Sequence, residues 1–254
     1  DACEAAFNII ISGAGLPTNL PEFTQGFDDV ALVPIVSSAK ALKIICKRWK
    51  QRYDRLPDAV VLEGPLSGGH QGFTYEQCLD PAYALENLIP EVKEEISNWG
   101  DFPLIVAGGV WDNDDIKKMI SLGANGVQMG TRFIGTFECD AAPEFKEVLL
   151  KAKKDDIKLI GSPVGYPARG IETNLIGLVE RREGPKIQCI SNCVAPCNRG
   201  KGAKEVGYCI ADRLYDAYTG VTETGLFFSG ANGYKLDKLI SVKELVEKLV
   251  NGEN

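Results

Sequence analysis

Short apolar, β-branched runs that end in glycine, each followed by a helical stretch, recur along this chain and restrict what it can fold into. Ala59-Val60-Val61-Leu62 runs into Glu63-Gly64, Leu104-Ile105-Val106-Ala107 into Gly108-Gly109, and Gly126-Val127-Gln128-Met129 into Gly130-Thr131. Two earlier runs, residues 7–11 and 31–36, have the same strand-like character. Helical patterns follow over residues 39–53, 82–99 and 114–120, the last closing at Leu122-Gly123, where glycine suits a C-cap. The alternation lacks hairpin signals, and this predicts parallel βαβ units and an α/β fold. After about residue 137 the pattern changes to helices and loops. The expectation is a barrel portion over residues 1–137 and, over 138–254, the completion of the barrel with a cysteine-containing helical and loop cap.

The third strand leads into Ser67-Gly68-Gly69-His70-Gln71-Gly72, which carries the only histidine of the chain. Glycines let a backbone approach a ligand closely, and an imidazole can take or give a proton near neutral pH. The plainer reading is a hydrogen-bonded surface histidine. Two further strand ends, at Gly108-Gly109 and Gly130-Thr131, can turn backbone N–H groups toward a phosphate. Such a site lies at the C-terminal face of a (β/α)8 TIM barrel, after its last two strands. The alternative for each is an ordinary strand-to-helix turn. Gly13-Ala14-Gly15 also follows an apolar strand, but Thr18 replaces the third glycine of a dinucleotide fingerprint and Pro17 interrupts it.

In Ser67-Gly68-Gly69-His70-Gln71-Gly72, Ala107-Gly108-Gly109 and residues 126–133, the chain resembles the nitronate monooxygenase, or 2-nitropropane dioxygenase, family. This is a family of FMN-dependent TIM barrels that includes flavin enoyl-[acyl-carrier-protein] reductases. The likeness extends to Gly165-Tyr166-Pro167-Ala168-Arg169-Gly170 and, more loosely, to Ser229-Gly230-Ala231-Asn232-Gly233. It implies that residues 1–137 form a flavin-binding barrel portion. Gly108, Gly109, Gln128, Met129, Gly130 and Thr131 would hold the FMN phosphate and ribityl chain. Gly68 and Gly69 would line the flavin, Glu63 would stand beside it, and His70 would be the catalytic base or proton donor. The substrates would be a small alkyl nitronate or nitroalkane and dioxygen. Glu63 departs toward the enoyl reductases, since nitronate monooxygenases commonly carry glutamine there, and Asn232 falls near the glutamine of an Ala-Gly-Gln segment. The resemblance therefore also admits an NAD(P)H-dependent enoyl reductase. A non-catalytic fragment or a cluster-carrying interaction module is the alternative from another class. Residues 7–11 match about the fourth barrel strand, and the family's opening Pro-Met segment has no counterpart, so the expectation is an N-terminally truncated, partial barrel.

Eight cysteines are present, and Cys189, Cys193, Cys197 and Cys209 cluster. Zinc ribbons need closer pairs. The spacing is similar to the cysteine segment that binds an iron–sulfur cluster in some flavin enoate reductases, with one interval a residue longer. Gly200, Gly202, Gly207 and Pro196 would suit a wrapping loop. Reduced, inert thiols are the other reading. Cys3, Cys46, Cys78 and Cys139 are scattered and read as ordinary thiols.

A net charge of -7 without a basic block argues against a nucleic-acid surface. Hydrophobic residues make up 44%, enough for a core, yet no apolar run is long enough to span a membrane, and no signal peptide is evident. These features predict a soluble globular protein of the cytoplasm; they carry no information on oligomeric state. Arg132 and Arg169 are candidates to pair with phosphate or an anionic substrate, Tyr166 and Tyr234 to line a substrate site. Solvation and packing are the simpler roles for these four. Asp112, Asp114 and Asp115 favour a helix N-terminus over a metal site.

Overall fold

The computed structural model describes residues 2–187, 197 and 207–252. It divides into two compact units, and each is continuous only in space. The first combines residues 1–65, 79–110 and 114–128; the second combines 66–78, 111–113 and 129–254.

In the first unit, strands β1 (Ile9–Ser12), β2 (Ala31–Val36), β3 (Val60–Glu63), β5 (Leu104–Ala107) and β6 (Gly126–Gln128) form one sheet, ordered β1-β2-β3-β5-β6. Every pairing is parallel. Helices α1 (Ala39–Tyr53) and α2 (Leu85–Ser97) provide crossovers, and α3 (Asn113–Ser121) joins β5 to β6. Helix α1 starts where Ser38 Oγ accepts the Ala41 N–H and ends at Asp54 in the left-handed region. It buries Leu42, Ile45, Cys46 and Trp49, and the Trp49 indole N–H donates to the Pro17 carbonyl at 2.9 Å. Asp114 and Asp115 occupy the first turn of α3, where carboxylates complement the helix dipole, and Gly123 (φ +108°) follows it. Strands β2, β3 and β5 bury both faces, Leu32, Val60, Leu62, Leu104 and Val106 on one side and Val33, Val61 and Ala107 on the other, which is why they read as apolar runs; β1 leaves Ile9 and Ile11 exposed.

The second unit departs from the sequence reading. Residues after 137 are not only helices and loops: β7 (Ile157–Gly161) and β8 (Pro167–Ile171) form an antiparallel hairpin, and β4 (Gly69–His70) pairs with β8 as its third strand. The hairpin escaped detection because Pro167-Ala168-Arg169-Gly170 contains little that favours a strand. Tertiary pairing overrides that weak preference. Helices α4 (Thr131–Ile134), α5 (Pro143–Lys151), α6 (Asn174–Glu180), α7 (Ile210–Tyr218) and α8 (Val242–Asn251) complete the described part of this unit. Two apolar clusters support it, one around Leu149, Ile171 and Phe227, the other around Ala168, Leu175, Tyr208 and Leu226. Tyr208 buries its ring and donates its hydroxyl proton to the Gly161 carbonyl at 2.7 Å, so the end of β7 is tied to the start of α7.

Candidate active site

In the first unit the register aligns Glu63 with Ala107 and Ala107 with Gln128. The carboxyl ends of β3, β5 and β6 therefore share one row. Gly64 continues it, its N–H donating to the Ala107 carbonyl at 2.8 Å. Gly108 and Gly109 follow at φ +92° and +91°, two successive left-handed residues that only glycine adopts without strain. Burial pushes the Glu63 carboxyl up to about 7.

The second unit holds the histidine loop. Gln71, 2% exposed, donates its amide to the carbonyls of Ser67 (2.9 Å) and Gly69 (3.0 Å) and accepts the Ser67 hydroxyl at 3.3 Å. This internal staple, together with the Gln71 N–H bond to the Pro167 carbonyl, sets the loop against β8. Gly69 pairs with Arg169 and His70 with Ala168. Gly69 has φ +74°, and the imidazole that follows it is half-buried. His70 Nε2 lies 2.8 Å from Ser162 Oγ, and the ring meets Phe228 edge to face at 5.4 Å. Burial lowers the His70 pKa from its ordinary 6.5, favouring the neutral ring.

Residues 229–231 close against the same loop. The Ala231 N–H donates to the Leu66 carbonyl at 3.0 Å, and the Gly230 N–H donates to Thr131 Oγ1 at 2.8 Å. A Cβ on Gly68 would stand 2.7 Å from Gly230 N and from Ser229 C. Gly68→Ala must therefore displace backbone, and we expect it to lower unfolding stability by about 1–3 kcal/mol. A urea midpoint equal to that of the parent chain would contradict this packing.

Within this unit Gly68, Gly69, His70 and Thr131 are thus brought together. Met129 and Gly130 directly precede Thr131, and a Cβ placed on Gly130 would meet nothing within 4 Å. Beside them the Arg132 guanidinium lies 4.8 Å from the centre of the Trp111 ring, with its buried Nε lacking a hydrogen-bond partner among the described residues. Burial lowers the Arg132 pKa, opposed by Asp237 and Asp112. Open space at Gly130, the Thr131 hydroxyl and the half-buried Arg132 guanidinium suit a phosphate group of the kind that ends a flavin mononucleotide. In the first unit, taken by itself, the paired left-handed glycines offer backbone that a phosphate can approach. Arg169 is buried in β8, whereas Tyr166 is 40% exposed and Tyr234 packs against an apolar cluster.

Of the clustered cysteines, Cys189 and Cys193 lie outside the described residues, while Cys197 and Cys209 are partly exposed free thiols. Among the described residues no group of three or more His, Cys, Asp or Glu could hold a metal. Burial pushes the Cys46 thiol up to about 12 and raises that of Cys78, consistent with inert core thiols. No helix among the described residues is long and apolar enough to cross a membrane.

Gln71, Ser162 and Phe228 were not singled out from sequence as supports for His70. A signal existed for one of them: Ser162-Pro163-Val164-Gly165 has serine, proline and glycine at the first, second and fourth positions, which fits a β-turn.

Sequential parallel strands with glycines after their carboxyl ends, joined by helical crossovers, define an α/β protein of the TIM-barrel type. A model of the nitronate monooxygenase family matches residues 1–252, and the chain belongs to that family, whose members are flavin oxidoreductases. A probable nitronate monooxygenase of Bacillus subtilis is 38% identical over 118 residues, 46% of this chain and 33% of that protein. One from Staphylococcus haemolyticus is 35% identical over 129 residues, 50% of this chain and 35% of that protein. The aligned stretch thus spans about a third of these relatives. Among solved structures, FabK from Thermotoga maritima matches with a TM-score of 0.75 at 25% identity, over 98% of this chain and 69% of that one. A nitroalkane oxidase from Streptomyces ansochromogenes matches with 0.71 at 20% identity, over 98% and 65%; this likeness concerns the fold alone.

Proposed function

We propose that the chain is an FMN-dependent oxidoreductase that oxidises alkyl nitronates with dioxygen. The observation that carries this reading is His70: a single imidazole, buried enough to stay neutral, held by Ser162 and Phe228 on the glycine loop beside Thr131 and Gly230. The flavin roles would fall to Gly68, Gly69, Met129, Gly130 and Thr131 of the second unit and to Gly108, Gly109 and Gln128 of the first, in which Glu63 shares the row of strand ends with Ala107 and Gln128. When bound, FMN supplies the electron acceptor.

The chain's own residues supply position and proton transfer. A neutral nitroalkane must lose the proton on the carbon bearing the nitro group, and that C–H electron pair stays behind as the nitronate. His70 takes this proton as an imidazole and becomes imidazolium. Among the described residues Thr131 Oγ1 is engaged as the acceptor of the Gly230 N–H, an arrangement that leaves its own hydroxyl proton available to donate.

The first measurement is an absorption spectrum of the anaerobically purified protein, with release and identification of the chromophore. Nitronate-dependent oxygen consumption is then assayed. FMN together with this activity supports the reading; absence of both after reconstitution overturns it. A second reading, an NAD(P)H-dependent enoyl reductase, is favoured by Glu63, a carboxyl raised to about 7 where nitronate monooxygenases commonly carry glutamine. Nicotinamide oxidation driven by an enoyl thioester, without nitronate turnover, selects it.

A further inference from the structure

We infer that Ser162 is a positioning residue that holds His70 as the Nε2–H tautomer, which leaves Nδ1 as the atom that accepts the substrate proton. The inference rests on the reading of His70 as the base and adds which of its nitrogens does the work.

Ser162 begins the turn between β7 and β8. The Gly165 N–H donates to the Ser162 carbonyl at 3.0 Å, and the Val164 N–H donates to Ser162 Oγ at 3.3 Å. The hydroxyl is therefore oriented by its own turn before it meets the histidine, and it is 5% exposed. A serine hydroxyl offers one proton and two acceptor positions. With Val164 on one acceptor position, the 2.8 Å contact to His70 Nε2 can be made in two ways. Either Ser162 donates to a bare Nε2, or Nε2–H donates to the remaining acceptor position of Oγ.

These alternatives differ in what happens when the ring gains a proton. In the first, Nδ1 already carries hydrogen, so the incoming proton must go to Nε2. That displaces the serine proton and turns a buried hydroxyl away from its partner. In the second, Nδ1 is bare and takes the proton directly, while Nε2–H keeps its bond to Oγ in both the neutral and the charged ring. Only the second arrangement receives a proton without reorganising the support, and it gives the imidazolium an acceptor in a partly desolvated setting. Phe228, edge to face with the imidazole, restricts the plane of the ring, and within that plane Nε2 is the nitrogen that lies at the Ser162 hydroxyl.

Because His70 is the only histidine, labelling histidine with nitrogen-15 yields the spectrum of this one ring. The flavin-loaded protein, above the pH at which the ring titrates, is expected to show a protonated Nε2 and an unprotonated Nδ1. Ser162→Ala should give mixed tautomers, and Ser162→Thr, which restores the hydroxyl, should return the single one. In the same variants kcat on a neutral nitroalkane should fall about tenfold with alanine, the rate equivalent of one lost hydrogen bond, and recover with threonine, while KM changes little. A parent ring protonated at Nδ1, or an alanine spectrum identical to the parent's, overturns the inference. A parent protein that shows the Nε2–H ring but turns over no nitro compound supports the assignment of Ser162 and overturns the proposed function instead, so the two failures are separable.

Discussion

Replacing His70 with alanine is expected to lower turnover of a neutral nitroalkane by about 10²–10⁴-fold, the range typical for loss of a positioned general base. The direction follows from the environment of the ring. Burial lowers its pKa below the ordinary 6.5, so at neutral pH it stands ready to accept a proton. A nitronate prepared in advance has already lost that proton, and the loss on it should stay below about tenfold. Steady-state rates for both substrate forms, measured on the same preparation, check the assignment. Equal losses on the two forms would make His70 a structural or flavin-holding residue. In the parent protein the acidic limb of the pH–rate profile, where protonation of the base removes activity, should lie below the ordinary histidine value, because a lowered pKa leaves the ring unprotonated at more acidic pH.

Glu63 gives the second large effect, and it concerns stability. Its carboxyl rises from 4.5 to about 7 through burial at the end of β3. Between those values the folded chain holds a proton that the unfolded chain has released. The contribution is therefore complete below the unfolded value and is lost as pH rises through about 7. The full shift corresponds to about 3 kcal/mol, and partial exposure of the side chain brings the expected loss to about 2–3 kcal/mol. Glu63→Gln keeps the shape and removes the titration. Urea unfolding at about pH 5 and about pH 8 should show the parent losing this amount relative to the variant as pH rises. Parallel pH dependences in the two proteins would show that Glu63 is not held in this low-polarity setting.

The central parallel strands β2, β3 and β5 were legible because they are buried on both faces. A strand such as β3 is then apolar through Val60, Val61 and Leu62, and the Glu63-Gly64 that follows marks where the chain turns. Helix α1 was equally legible: the structure forms it over the expected residues, with Ser38 as its cap. The hairpin β7–β8 was not. Its second strand contains proline, alanine and glycine, and what makes it a strand is its pairing with β7 and with Gly69–His70, residues distant in sequence.

The candidate site divides along the same line. The residue types that can carry the chemistry, one histidine among glycines and the glycines after β5 and β6, are local features visible in the amino-acid order. The state of those groups is not local. Burial, which depends on every element packed around a group, lowers His70 and raises Glu63. The Ser162 hydroxyl lies 92 positions along the chain from His70 and reaches its Nε2 only after the hairpin has formed. The sequence by itself determined the parallel α/β class and the identity of the candidate groups, because secondary-structure period and backbone freedom are properties of neighbouring residues. Tertiary structure decided which partner each group meets and which proton it holds, because hydrogen bonding and desolvation depend on residues that only folding brings together.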